Sequence, residues 1–139
     1  EYTKKFDFIT FGQVFEHLYE PAKALERASS WLNNGGIVHI EVPSSKNLIA
    51  KIINIYYRLA GTNYVTNLSP MHSPFHLYEF DIDSFKLMSK RLGFSVEEYQ
   101  FEVGDIPFLP KIIHPLARWY MVKTNTGNQL TVYLKKIHN

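Results

Sequence analysis

Two short apolar runs with a helical pattern between them constrain the fold of this chain more than any other feature. The first run is Phe6–Phe11, rich in aromatic residues, and the second is Ile37–Val42. Pro21 suits the first turn of the intervening helix, and Asn33–Gly36 ends it because these residues tolerate positive φ. A strand, a helix and a strand in this order predict a parallel pair with a right-handed crossover. We expect Phe6–Phe11 to be buried on both faces, as strands of parallel sheets usually are.

Two more helices are predicted in the middle of the chain. The first covers 44–60, and either Ser44 or Ser45 is expected to cap it. The second begins after the cap residue Asp81 and stops at Gly93, which suits a left-handed helix end. The alternation of strands and helices therefore continues beyond the first strand pair.

The chain closes with two predicted strands, Phe94–Phe101 and Gln129–Leu134. The connection between them contains several prolines and only a short predicted helix, over 116–122. Because a full crossover helix is missing, we predict that these two strands pair antiparallel. The complete pattern is that of an α/β protein.

The composition excludes several classes of protein. A chain of 139 residues with 45% hydrophobic residues forms one domain with a real core. Lys and Arg are scattered and the net charge is only +2, so we expect no nucleic-acid partner. The absence of cysteine excludes disulfides and cysteine nucleophiles, and it suits a reducing compartment, so we predict a cytoplasmic location. No apolar run reaches the ~18 residues of a membrane span. Because the sequence opens on Glu1 rather than Met, we interpret its start as a cut inside a longer protein.

Candidate catalytic side chains follow the first strand and a later loop. Glu16 and His17 lie just beyond the first strand, and His76 follows an irregular loop, with His72 four residues earlier. Imidazole is easily tuned as a base near neutral pH, and a base that removes a hydroxyl proton assists group transfer to oxygen. The structural alternative is that these residues only pack or cap the neighbouring helices. A divalent metal is a further possibility for Glu16, His17 and His76, but the sequence supplies no convergent geometry and we predict no metal site.

Together these features resemble the carboxyl-terminal half of a class I S-adenosylmethionine-dependent methyltransferase. The resemblance rests on the order strand, Glu-His loop, helix, Gly-Gly, strand, Pro, and it covers nearly the whole chain. Gln13–His17 is similar to the Glu-Val-x-Glu-His loop of small-molecule methyltransferases, with Gln13 in place of the first acid. Ser73–Phe80, followed by a capped helix, also matches that group. The resemblance implies a partial Rossmann-like sheet with flanking helices, in which the family's strands four, five, seven and six lie side by side and the last strand of the chain is antiparallel.

The resemblance also implies a reaction, the transfer of a methyl group from S-adenosylmethionine to a small-molecule acceptor. It assigns the methionine end of the cofactor to Phe11, Gly12 and Gln13, and the acceptor side, as catalytic residues, to Glu16, His17 and His76. The family's glycine-rich turn and ribose-binding acid belong to an amino-terminal half that these residues do not contain. We therefore expect 1–139 to be the carboxyl-terminal half of the domain and to be inactive alone.

Two alternatives to a methyltransferase stay open. One is a non-catalytic α/β binding module, and the other is a different Rossmann-like nucleotide-dependent enzyme, in which the last strand would be parallel. The helix over 46–61 and its tyrosines could cover an aromatic, lipid-like or sugar-linked acceptor, or simply pack on the sheet. Without the amino-terminal half of the domain, the edge of the sheet at Phe6–Phe11 would lack its neighbouring strand, so we predict a homodimer through this edge.

Overall fold

The computed structural model describes residues 5–73, 75–106 and 109–137. Within these residues, four strands form one sheet and four α-helices connect or flank them. In chain order the elements are β1 (Phe6–Gly12), α1 (Pro21–Trp31), β2 (Leu32–Pro43), α2 (Leu48–Leu59), α3 (Ile82–Leu92), β3 (Phe94–Glu102), α4 (His114–Lys123) and β4 (Gln129–Lys136). The predicted α/β class is confirmed.

The sheet has the strand order β1-β2-β4-β3. β1 and β2 pair parallel, whereas β4 runs antiparallel to both β2 and β3. The predicted arrangement, three strands in one direction with the last reversed between two of them, is confirmed. A parallel last strand, which the alternative nucleotide-dependent enzyme required, is not observed.

Both ends of α3 follow the sequence prediction, whereas the start of α2 departs from it. Asp81 caps α3 by accepting a hydrogen bond from the Ser84 backbone N–H at 2.8 Å, and Gly93 ends the helix at φ 73°, as predicted. The prediction that Ser44 or Ser45 caps α2 is wrong. Ser44 still belongs to extended backbone, bridged to Phe80, and Asn47 caps the helix instead, accepting from two backbone N–H groups at 3.0 and 3.2 Å.

The exposure of β1 and the start of β2 also correct the sequence analysis. β1 is not buried on both faces, since each of its residues is exposed or half-buried. In the described part of the chain it is an edge strand of the sheet. Phe8 is 54% exposed, while Phe11 is half-buried against the core. Asn33–Gly36 does not form a helix end, since α1 stops at Trp31 and β2 begins at the next residue. Gly36 is favoured there because a Cβ would lie only 3.0 Å from the Asn33 carbonyl oxygen, a tight contact.

Two clusters of buried side chains hold the elements together. The larger joins the sheet to α1 and α3, with Phe15, Phe85 and Val132 among its fully buried members. The smaller joins α2 to α4 through Ile49 and Met121. Within the described ranges, none of the helices combines the length and apolar character needed to cross a bilayer. The large cluster anchors the segment that follows β1, where the predicted site residues lie.

Candidate active site

A single 3₁₀ turn, Phe15–His17, positions the first two candidate residues. Phe15 is fully buried, and its ring contacts those of Phe11, Phe80 and Phe85 at centroid distances of 5.5, 5.4 and 5.9 Å. Such aromatic packing fixes the backbone of the turn. Because Phe15 points into the core, the carboxyl group of the next residue, Glu16, is also drawn inside, and Glu16 is only 1% exposed.

A second segment, around His76, is fastened to this turn by two hydrogen bonds. The Leu77 backbone N–H donates to the Glu16 carbonyl at 2.9 Å, and His17 Nδ1 lies 2.8 Å from the carbonyl oxygen of Phe75. His76 is thereby placed beside the turn, with its ring 4.7 Å from that of His17. Glu16 Oε1 lies 3.8 Å from Nε2 of each histidine. The three residues predicted as catalytic therefore converge.

Hydrogen bonds at the far side of each ring fix where its proton sits. Nδ1 of His17 faces the Phe75 carbonyl, and Nδ1 of His76 faces the Asn67 carbonyl at 3.0 Å. A carbonyl oxygen only accepts, so Nδ1 carries the hydrogen in both rings. In the neutral rings Nε2 then presents a lone pair toward Glu16. Both Glu16 carboxylate oxygens are buried, and no hydrogen-bond donor reaches them from the described residues.

Burial shifts the pKa values of this cluster toward the neutral forms. It raises the pKa of Glu16 above its usual value, although the residue's own backbone amide, His17 and His72 oppose this effect. It lowers the pKa of His76, and the neighbouring His72 lowers that pKa further. The His72 ring stacks on His76 with centroids 3.7 Å apart. At neutral pH His76 is therefore an uncharged imidazole with an available lone pair.

His72 and His76 line a cleft of about 420 Å³ at the carboxyl ends of β1 and β2. In open α/β sheets this edge is where ligands bind. Many lining groups are polar, and they include Gln13, Thr66, Asn67, Asp105 and Gln129. The cleft can therefore hydrogen-bond a polar molecule along much of its wall.

The three residues predicted to bind a cofactor lie at the end of β1 and differ in their surroundings. The Phe11 ring packs against Phe15, so its side chain is partly committed to the core. Gly12 is exposed, and a Cβ there would meet only Glu41 Oε2 at 3.7 Å. Gln13 adopts φ 52°, a conformation rare for residues other than glycine, and its N–H donates to the Glu41 carbonyl at 3.0 Å. The backbone at this strand end is open to a ligand.

Sequence reasoning did not assign a role to several groups of the site. His72 was noted for its spacing from His76, but its stacking on that ring depends on the loop conformation. The carbonyl of Asn67 that orients His76 and the side chain of Gln129 in the cleft wall come from distant segments. Only the spacing of four residues between the two histidines offered a sequence signal.

Comparison with protein families gives one match, to the family described as "Methyltransferase domain", over residues 1–99. No curated protein sequence matches the chain. The match covers β1, the Glu16–His17 turn, His76 and most of β3.

Solved structures with a similar fold include three methyltransferases. A SAM-dependent methyltransferase from Methanosarcina mazei matches with a TM-score of 0.60 at 11% identity, over 100% of this chain and 64% of that one. A putative methyltransferase from Bacillus halodurans gives 0.59 at 14% identity, over 97% and 66%. Magnesium protoporphyrin IX methyltransferase from Synechocystis, with bound SAH, gives 0.55 at 10%, over 98% and 47%. The chain thus spans about half to two thirds of the length of these structures, and the similarity supports a Rossmann-like fold.

Proposed function

The chain belongs to the methyltransferase domain family, and on that premise we propose that it is the carboxyl-terminal half of a class I S-adenosylmethionine-dependent methyltransferase. The observation that carries the proposal is the convergence of Glu16, His17 and His76 beside a polar cleft at the carboxyl ends of parallel strands. This edge is where open α/β sheets bind ligands. The antiparallel last strand supports this proposal over the alternative nucleotide-dependent enzyme.

The end of β1 fits the methionine end of the cofactor. Gly12 leaves open space at the backbone, and the left-handed conformation of Gln13 turns the chain away from the strand. When bound, S-adenosylmethionine supplies a methyl group activated by its sulfonium. Phe11, Gly12 and Gln13 would border this group, chiefly through their backbone, because the Phe11 ring packs on Phe15.

Glu16, His17 and His76 would act on the acceptor. The lone pair on Nε2 of His76 can take the proton of an acceptor hydroxyl as the oxygen bonds to the methyl carbon. His72, stacked on His76 at 3.7 Å, limits the positions that this ring can adopt. The main contribution of the chain would be to hold the acceptor in line with the methyl group and to exclude water.

The cleft favours a polar, hydroxyl-bearing small molecule as the acceptor. Its amide and carboxylate groups, such as those of Gln13, Asp105 and Gln129, can form hydrogen bonds with several hydroxyl groups at once. Among the acceptors expected from the sequence, this lining supports a sugar-linked molecule over a purely lipid-like one.

Titration calorimetry with S-adenosylhomocysteine tests the cofactor part of the proposal. We expect the longer parent protein to bind with a submillimolar Kd, and this 139-residue chain alone to show no binding and no turnover. In the parent, Gly12→Val should weaken binding at least tenfold by filling the open space at the end of β1. Thr10→Val, two residues earlier on the same strand, is the matched control and should bind normally. Equal binding by parent and fragment would contradict the division of the site between the two halves.

Two expectations, one about the location of the protein and one about its oligomeric state, belong to the same proposal. We predict a cytoplasmic location, and we predict that β1 of the isolated chain pairs with β1 of a second copy. Light scattering at high protein concentration, combined with hydrogen exchange, tests the pairing. A monomer in which the β1 amides that do not bond to β2 exchange freely would refute it.

A further inference from the structure

Although the sequence alone led us to predict no metal site, we propose that Glu16, His17 and His76 bind a divalent transition-metal ion of the zinc type. Each of the three residues offers one ligand atom, and these atoms all lie within 4.8 Å of one another. Binding of the ion goes beyond the proposed function and does not depend on it.

A positive species at the centre of the cluster would stabilise its three acceptor groups. The Glu16 carboxylate and the Nε2 lone pairs of His17 and His76 all accept hydrogen bonds, and Glu16 Oε1 lies 3.8 Å from each of the two nitrogens. Both carboxylate oxygens are buried and receive no hydrogen bond from the described residues. A buried, unpaired acceptor costs free energy, so this arrangement is stable only with a cation or with protons between the groups.

The ligand set favours a metal ion over protons alone. Because Nδ1 of His17 and of His76 faces a backbone carbonyl, each ring keeps at Nε2 the lone pair that a metal ion binds. Two imidazoles and one carboxylate are the donors that zinc and similar ions accept, whereas Mg²⁺ and Ca²⁺ prefer oxygen ligands alone. The carbonyls of Phe75 and Asn67 orient the two rings from their Nδ1 side, as partners of metal-binding histidines usually do.

The observed spacing is close to that of a metal centre. For bonds of about 2.0–2.1 Å in a tetrahedral site, ligand atoms lie about 3.3 Å apart. The two Glu16–histidine distances are 3.8 Å, so a shift of about half an ångström brings each of these pairs to ligand distance, and the two histidine nitrogens lie within 4.8 Å of each other. His17 can make this adjustment, since its side chain is 27% exposed, whereas Glu16 is held in place at 1%.

A remaining coordination position would face the cleft, because His76 lines it. Three protein ligands and one open position are typical of catalytic rather than structural zinc. An acceptor hydroxyl bound there would lose its proton more easily, since a metal ion lowers the pKa of oxygen ligands, and the proton would pass to water in the cleft. With the ion bound, Nε2 of His76 would be a ligand and not the base that it is in the metal-free site. This role for the ion, unlike its binding, rests on the proposed methyl transfer.

The experiment is a titration of the metal-free chain with Zn²⁺ by calorimetry and with Co²⁺ by visible absorption. We expect one ion per chain, with the absorption bands of a low-coordinate Co²⁺ site. Glu16→Gln keeps the size of the side chain and removes its charge, and it should weaken Zn²⁺ binding by about 100-fold, as should His17→Asn. His39→Asn is the matched control, because His39 also lies near a carboxylate, Glu41 Oε1, at 3.5 Å but has no third ligand beside it among the described residues.

Circular dichroism of each variant establishes that it is folded, and His17→Asn, at the more exposed position, serves if Glu16→Gln does not fold. Absence of Zn²⁺ binding by the unaltered chain would overturn the proposal, because protons alone would then balance the cluster. Binding that survives both substitutions, or that is lost in His39→Asn, would overturn it as well. Calorimetry with S-adenosylhomocysteine on the parent protein is a separate measurement, so failure of the metal site and failure of the methyltransferase proposal are distinguishable.

Discussion

Replacement of Phe15 by alanine should remove a large part of the stability of this chain. The side chain is 0% exposed, and three aromatic rings contact it at 5.4 to 5.9 Å. Phe→Ala in a core lowers the free energy of unfolding by about 3–5 kcal/mol, because burial of the side chain is lost and a cavity remains. We expect the upper half of this range, because each aromatic pair adds ~0.5–1.5 kcal/mol beyond burial.

Such a loss is large against the ~5–15 kcal/mol of unfolding free energy that natural domains have. Urea denaturation followed by circular dichroism measures it. With an m value of about 2 kcal/mol per molar urea, a loss of 4 kcal/mol lowers the midpoint by about 2 M. Phe15→Leu retains most of the volume and should lose only about 1–1.5 kcal/mol, which keeps the test available if the alanine variant does not fold.

Phe8→Ala, on strand β1 just before the 3₁₀ turn, is the matched control. Phe8 is 54% exposed and contacts His39 with ring centroids 6.0 Å apart, so its removal should cost less than about 1 kcal/mol. Equal losses in Phe8→Ala and Phe15→Ala would refute the argument that the Phe15 cluster anchors the 3₁₀ turn.

Three further substitutions test other parts of the structure. The Ser84 N–H, which donates to the Asp81 cap of α3, holds the pKa of Asp81 below its usual value. The charged cap therefore stabilises the folded chain fully above the unfolded pKa of about 4, and this stabilisation is lost as the pH falls through the lower folded pKa. Asp81→Ala should therefore lower the free energy of unfolding by about 1 kcal/mol at pH 7. In denaturation curves measured at acid pH its difference from the unaltered chain should shrink, and a pH-independent difference would contradict this. Gly127→Ala should lower the free energy of unfolding by more than ~2 kcal/mol in urea denaturation, because its Cβ would collide with the Glu102 carbonyl oxygen, and an unchanged midpoint would disprove this contact. Gln13→Gly should raise thermal stability slightly or leave it unchanged, since φ 52° strains a residue with a Cβ, and a clear loss would show that the side chain itself is needed.

The sheet and most helix ends were predictable because they depend on local patterns. The strand predicted over Gln129–Leu134 was recognised from its apolar residues and extends to Lys136, and its reversed direction was expected because only a short helix was predicted in the connection before it. Asp81 and Gly93 mark α3 through chemistry that acts within one turn. The exposure of β1 was mispredicted because burial depends on neighbours in space, and the Asn47 cap because the extended bridge between Ser44 and Phe80 delays the helix.

The adjacency of Glu16 and His17 is a property of the sequence, and so is the presence of histidines able to act as bases or ligands. Their assembly with His76 is not, because the hydrogen bond from His17 to Phe75 joins residues 58 positions apart. Local chemistry thus determined which side chains are available and which segments become strands and helices. Only tertiary packing decided that Glu16 is buried away from water, that two Nε2 lone pairs face it, and that a polar cleft lies beside them. The reason is that desolvation and long-range contacts arise only when distant segments meet.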